Sequence, residues 1–314
     1  MDFKVYRRIG ETMNDLKNIT MIALSLFAFS AHAQMDFSQV QIQTMEVAED
    51  LYMLVGAGGN LSLSVGDDGA FLVDDQYAPM SDKILAAIAE VTDQDIRFLI
   101  NTHFHGDHTG GNENIGATGA LIVAHENVRQ RLSTDQFRAI FNQTIPASPE
   151  GALPVVTFSE EINFYWNDTE VRIFHVENAH TDGDAIVTYP EKNIIHMGDV
   201  FFNGFYPFVD VSSEGTLDGY IRAVSQVLSL PFVNDDTRII PGHGPLATPA
   251  DLETYLNMMM TARNRINALI LQQLSEDEVV ARDPMSDYHE QWGGGFMNGE
   301  NFTRLAYQSL VHAH

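Results

Sequence analysis

The chain has 314 residues, enough for one large domain or two tightly joined halves with a full apolar core. Its 43 acidic residues stand against 17 Lys and Arg, a net charge of −26, and only four lysines occur. A surface of that sign repels nucleic-acid phosphates and anionic membranes, so nucleic-acid binding is not expected. With no cysteine, disulfides are excluded and any metal ligand must be His, Asp or Glu.

Residues 17–33 read as a secretory signal. Lys17 supplies the positive charge, Ile19 to Phe29 the apolar stretch, and Ala31-His-Ala33 a small-residue cleavage site before Gln34. The apolar stretch is short for a membrane span, so no stable anchor is expected after cleavage. The expected organisation is a removed leader at 1–33, a main domain at 34–274, and a helical extension at 275–314 packed on it. The expected location is the periplasm or the exterior.

Gln34 to Val47 carries little signal. Leu51–Val55 predicts a strand; Leu61–Val65 and Ala70–Val73 predict a hairpin around Gly66-Asp-Asp-Gly69. Ile84, Leu85, Ile88 and Val91 recur at helical spacing after Ser81. Phe98-Leu-Ile100 reads as the end of a buried strand. Leu121–Ala124 predicts another strand, and Glu126–Leu132 a helix. Residues 133–157, with Pro146, Pro149 and Pro154, read as a surface excursion. Strands are predicted at 162–166, 171–176, 185–189 and 193–197, the first two joined by an Asn167-Asp168 turn. An amphipathic helix is predicted from Leu217 to Leu228, then a strand at Arg238-Ile-Ile240. A long helix follows, capped by Thr248 with Pro249 in its first turn and running to about Leu274. A last helix is expected at about 301–311, after Gly293-Gly-Gly295.

The densest chemistry lies in Asn101-Thr-His-Phe-His-Gly-Asp-His-Thr-Gly-Gly-Asn112. In extended chain, positions two apart share a face, so His103 and His105 converge on one ion. Gly106 permits a sharp bend that aims Asp107 and His108 at a second ion. Imidazole and carboxylate together favour zinc over manganese or iron.

This stretch resembles the signature of the metallo-β-lactamase superfamily. Four further landmarks follow in the family's order: Asp74 in Phe71-Leu-Val-Asp-Asp75, His180 in Asn178-Ala-His-Thr-Asp-Gly-Asp184, Asp199 in His196-Met-Gly-Asp199, and His243 in Pro241-Gly-His-Gly244. The resemblance covers about residues 48–250. It implies a four-layer αββα sandwich and two zinc ions per chain. Carried over residue by residue, His103, His105 and His180 bind one zinc; Asp107, His108 and His243 bind the other; and Asp199 bridges them. It further implies that the pair holds a hydroxide at neutral pH, that Asp107 orients it, and that Asp74 braces a neighbouring histidine or the metal-loop backbone.

Lack of cysteine departs from the cysteine-using β-lactamase subclass; the set resembles hydroxyacylglutathione hydrolases, lactonases and histidine-rich β-lactamases. An iron oxidoreductase of this fold fits less well, since such members carry an acidic residue where His105 stands. The leading expectation is an exported zinc hydrolase of amide- or ester-type bonds, possible substrates including β-lactams, with lactonase or thioesterase activity as the alternative. A non-catalytic periplasmic metal-binding protein is the reading from a different class. His125, His175 and His196 are read as packing histidines. The aromatic run Phe201–Phe208 follows Asp199, and within it Tyr206 is the expected substrate contact.

Overall fold

In the computed structural model, which describes residues 36–312, alternating apolar strands become two sheets that face each other. The expected signal segment and its expected cleavage point before Gln34 lie outside the described residues. The N-terminal half supplies β1 (Gln43–Ala48), β2 (Leu51–Val55), β3 (Leu61–Ser64), β4 (Ala70–Val73), β5 (Ile96–Asn101), β6 (Leu121–His125), β7 (Gln136–Arg138), β8 (Gln143–Ile145) and β9 (Val156–Phe158). Seven of these form one sheet in the order β1-β2-β3-β4-β5-β6-β9; β7 and β8 pair apart from it as a small hairpin. β1 to β4 run antiparallel, whereas β4, β5, β6 and β9 are parallel. Every residue of β4 is buried, as its unbroken apolar run requires of a strand covered on both faces.

The second sheet holds β10 (Glu161–Trp166), β11 (Thr169–His175), β12 (Ala185–Tyr189), β13 (Ile194–His196) and β14 (Arg238–Ile240) in sequence order. Asn167 and Asp168 both adopt positive φ, 53° and 57°, the left-handed pair that a two-residue hairpin turn demands. Between the sheets, Phe71, Val73, Ile100 and Val123 pack against Val171, Ile173, Val187 and Ile240. Outside the first sheet, Leu61, Leu72 and Leu99 pack on α1 (Ser81–Ala89). Short helices α2 (Gly106–Thr109), α3 (Asn112–Gly116) and α4 (Glu126–Leu132) follow on that half. Outside the second sheet lie α5 (Leu217–Leu228) and α6 (Pro249–Ile270), contributing Tyr220, Val224, Leu252 and Met259. The result is the expected αββα sandwich.

α6 starts as predicted: Thr248 and Asp251 form a reciprocal capping box, with Pro249 in the first turn. It stops at Ile270, four residues short of the expected end. The extension comprises α7 (Glu276–Arg282), α8 (His289–Trp292) and α9 (Gly299–His312). Its Val279, Met285, Trp292 and Phe302 join the core made by α5 and α6. β1 had no sequence signal because four of its six residues are exposed on a sheet edge. Among the described residues, no helix is long and apolar enough to cross a membrane.

Candidate metal centre

The ends of β5, β13 and β14 and the β11–β12 connection deliver the chemistry to one place. β5 runs into the His103–His108 segment, and α2 begins at Gly106 to turn Asp107 and His108 back toward the sheets. The motif closes on itself: the Asn101 and Asn112 side-chain amides exchange two hydrogen bonds of 2.9 Å. β13 and β14 are parallel neighbours, so Asp199 and His243, just past their ends, arrive side by side. Gly242 is obligatory there, because a Cβ would collide with Asp199 Oδ1 and the Gly198 carbonyl. Asn60 clamps this loop, donating 2.9 Å bonds to the carbonyls of Pro241 and Gly244. His196 in turn meets the Asn60 carbonyl at 3.0 Å, so it braces the loop and is not a ligand.

Two overlapping sets of ligand atoms result. Those of His103, His105, His180 and Asp199 lie within 4.8 Å of one another, as do those of Asp107, His108, Asp199 and His243. Asp199 belongs to both sets, which is the geometry of a bridging carboxylate.

The hydrogen-bond network tests whether cations fit. Asp74 lies at φ 60°, a strained value that points its carboxylate inward. It accepts from Thr102 N at 2.8 Å, Thr102 Oγ1 at 2.7 Å and His108 Nδ1–H at 2.7 Å. The Thr102 hydroxyl proton is thereby committed, so at 3.1 Å its oxygen accepts from His103 Nδ1–H. His180 Nδ1–H donates to the Phe208 carbonyl at 2.6 Å, and His105 Nε2–H donates to Asp210 Oδ2 at 3.0 Å. His103, His105 and His180 therefore spend their proton outward and turn a lone pair inward, while His108 turns its Nε2 to Asp199 Oδ1 at 3.0 Å. His105 Nδ1 and His180 Nε2 then face each other at 2.8 Å, and His103 Nε2 is buried with no hydrogen-bond partner. Converging lone pairs repel unless a cation sits among them, so the residues fit metal ions.

Electrostatics divide the two sets. Burial first, then mutual proximity, pushes His103 well below the usual imidazole range and His180 down to about 3. His105 is lowered by burial and by Arg138. These rings are neutral and ready to ligate. In the second set burial also disfavours charge, but carboxylates overrule it: Asp199, Asp74 and Asp107 raise His108 well above the usual range, and Asp199 and Asp107 bring His243 to about 9. Reciprocally, His108 and His243 hold Asp107 and Asp199 below the normal carboxylate range despite burial.

Sequence reasoning missed Asp210, which alone locks the His105 tautomer and is itself held by the hydroxyls of Ser212 and Ser213. It also gave no role to Asp184, which lies outside both ligand sets. That buried carboxylate accepts from the backbone N–H of His180 at 2.6 Å and Thr181 at 2.8 Å, shaping the loop that presents His180. Burial pushes its pKa up to about 8 against those bonds. Tyr206 requires correction. It is 1% exposed, stacks on Phe302 at 4.6 Å, and its hydroxyl meets His289 Nδ1 and the Met285 carbonyl. Apolar packing by the C-terminal extension draws it into the core, away from any rim. Other members of its run do reach the centre: Phe202 stacks on His243 at 5.2 Å, and Phe208 on His105 at 5.7 Å. His125 and His175 stack on each other at 3.9 Å, outside both ligand sets.

An αββα sandwich with two histidine–carboxylate ligand sets sharing one aspartate defines a candidate two-metal centre. Residues 55–243 match the family model of the metallo-β-lactamase superfamily, and the chain belongs to that family. Among curated proteins it is similar to the α subunit of 2,4-dinitroanisole O-demethylase from a Nocardioides species, 24% identical over 57% of this chain and 50% of that one. It is also similar to hydroxyacylglutathione hydrolase from a Polaromonas species, 28% identical over 52% of this chain and 55% of that one. The chain thus spans about half the length of these relatives. Among solved structures, a metallo-β-lactamase from Pontibacter korlensis superposes with a TM-score of 0.58 at 18% identity, covering 70% of this chain and 99% of that one. A double mutant of the sec-alkyl sulfatase PisA1 gives 0.63 at 16% identity, covering 85% of this chain and 50% of that one.

Proposed function

We propose that the protein is an exported two-zinc hydrolase that cleaves an amide- or ester-type bond in a small, largely apolar substrate. The observation that carries the metal chemistry is the inward convergence of the His103, His105 and His180 lone pairs in one ligand set, joined through Asp199 to a second set. Donors of nitrogen and carboxylate type, with no thiolate available, suit zinc. Two zinc ions held there would polarise the scissile group's oxygen and make water a nucleophile at neutral pH.

The chain's own residues do the rest. His103, His105 and His180 would hold one ion, His108, Asp107 and His243 the other, and Asp199 both. Asp107, 22% exposed and anionic, faces the opening and orients the attacking water by accepting its proton in a hydrogen bond. Asp74 and Asp210 keep His108 and His105 in the ligating tautomer.

Substrate preference is supported by an aromatic wall beside His105. Phe208 lies 5.7 Å from Phe141 and 6.0 Å from Phe296, which is 69% exposed. These three rings come from the 133–157 excursion, the segment after β13 and the C-terminal extension, and an apolar substrate body packs on such a surface. β-Lactams, lactones, thioesters and sulfate esters all offer a polarisable oxygen that this centre accommodates. Hydrolysis of a panel containing all four, by zinc-loaded protein and by protein stripped with chelator, tests the proposal. Turnover that depends on metal supports it; no turnover on any class at full metal occupancy favours a metal-binding protein without catalysis. Export is tested by N-terminal sequencing of secreted material, expected to begin near Gln34.

A further inference from the structure

A cavity of about 300 Å³ separates the metal loop from the 133–157 excursion. Phe104, Gly106 and Thr109, interleaved with the metal ligands, form one wall; Arg138 and Ile145 of the β7–β8 hairpin face them. In a chain with 43 acidic residues and 17 Lys and Arg, this cavity runs against the trend, because two arginines line it and Glu113 is its one carboxylate. Arg131 is already committed, forked onto Asp182 at 2.7 and 2.8 Å. Arg138 is not. Its Nε is buried without a hydrogen-bond partner, and it makes no ion pair among the described residues. The residue as a whole is half-buried, but its Nε–H is an unfilled buried donor, and an anion in the cavity would satisfy it.

We infer that Arg138 anchors an anionic group, a carboxylate or a sulfate, on the substrate whose scissile bond lies at the metal centre. Its placement fits that task. Phe104 and Gly106, which flank the ligand His105 in the chain, line the cavity together with Arg138, so the guanidinium sits beside the metal loop. Phe141 follows on the same hairpin and belongs to the aromatic wall, which sets an apolar surface beside the cationic one. A guanidinium fork matches the paired oxygens of either anion. The substrate class is therefore a small amphiphile, an apolar body carrying one negative group. Only the position of the scissile bond rests on the hydrolase proposal; the anion site stands on the cavity and Arg138.

The test is calorimetric binding to full-length, zinc-loaded protein, using 4-phenylbutyrate against its amide and hexyl sulfate against hexanol. Wild-type protein is expected to bind the anion at least about tenfold more tightly than its neutral partner in one pair, and that pair tells carboxylate from sulfate. Arg138→Met removes the preference while leaving the neutral ligand's affinity within about twofold, and Arg138→Lys restores part of it. Arg138→Gln repeats the comparison if the methionine variant does not fold. No preference in the wild type, or a preference that survives loss of Arg138, overturns the assignment. Intact Arg138-dependent binding without hydrolysis of any ester or amide would instead retire the hydrolase proposal and leave the anion site in place.

Discussion

Asp210 is the most informative residue to perturb, because the one ligand ring it hydrogen-bonds is His105. Its Oδ2 takes the His105 Nε2 proton at 3.0 Å and the Ser213 hydroxyl at 2.8 Å, with both partners of the ring pair almost fully buried, 3% and 2% exposed. An Asn there keeps an acceptor toward His105 and Ser213, and its amide turns to Ser212, whose hydroxyl rotates to accept. Shape and hydrogen bonds survive; the charge does not. A hydrogen bond to a charged group is worth about 1.5–3 kcal/mol, roughly twice a neutral one, so the Asn variant forfeits about half of that. The expected loss of affinity is about tenfold at the His103, His105, His180 set. Ala removes the acceptor as well and frees the ring to change tautomer, for a loss of about 100-fold, the upper end for groups that orient metal ligands. Zinc competition against a chromogenic chelator reads both steps. Wild-type affinity in Asp210→Ala, or a loss confined to the second metal, would refute the role given to Asp210.

Three further outcomes follow from the same geometry. Asp199→Asn keeps the shape of the shared ligand and removes its charge, so zinc occupancy should fall, above all at the Asp107, His108, His243 set, with hydrolysis down about 10–100-fold or more; metal analysis and initial rates check it. Asp184→Ala strands the N–H groups of His180 and Thr181 and should lower stability by about 2 kcal/mol or more, measured by denaturant unfolding. In chelator-stripped protein, His243 near 9 and the raised His108 are protonated at neutral pH, whereas His103, His105 and His180 are not. Protons compete with metal, so acidification from pH 8 to 6 should weaken the second metal by about tenfold or more per unit and leave the first nearly unchanged. Titration calorimetry in buffers of different ionisation enthalpy should find proton release with the second equivalent only; equal release with both would contradict it.

What sequence made legible was local or strongly periodic. The 101–112 stretch packs its ligands into a few residues, and the β4–β5 and β13–β14 strand ends carry apolar runs that announce themselves. The Asn167-Asp168 turn and the Thr248 cap follow from backbone chemistry within four residues. Asp210 was not legible, because its only signal is a contact to a ring 105 residues away. Arg138 sits in a segment whose prolines suggested a plain surface excursion, and the hairpin that turns it toward the metal loop has no strong strand pattern. Tyr206 was misread for a related reason. Nearness to Asp199 in sequence does not give direction, and α9 supplies the Phe302 surface on which its ring is buried. Phe202 and Phe208, in the same run, are the ones that meet metal-ligand rings.

The sharing of Asp199 between two ligand sets is tested most directly by counting metal. Purified protein, saturated with zinc, freed of excess by gel filtration and analysed by inductively coupled plasma mass spectrometry, should hold two equivalents per chain. A firm value of one would mean that Asp107, His108 and His243 do not form a metal site, and that Asp199 bridges nothing.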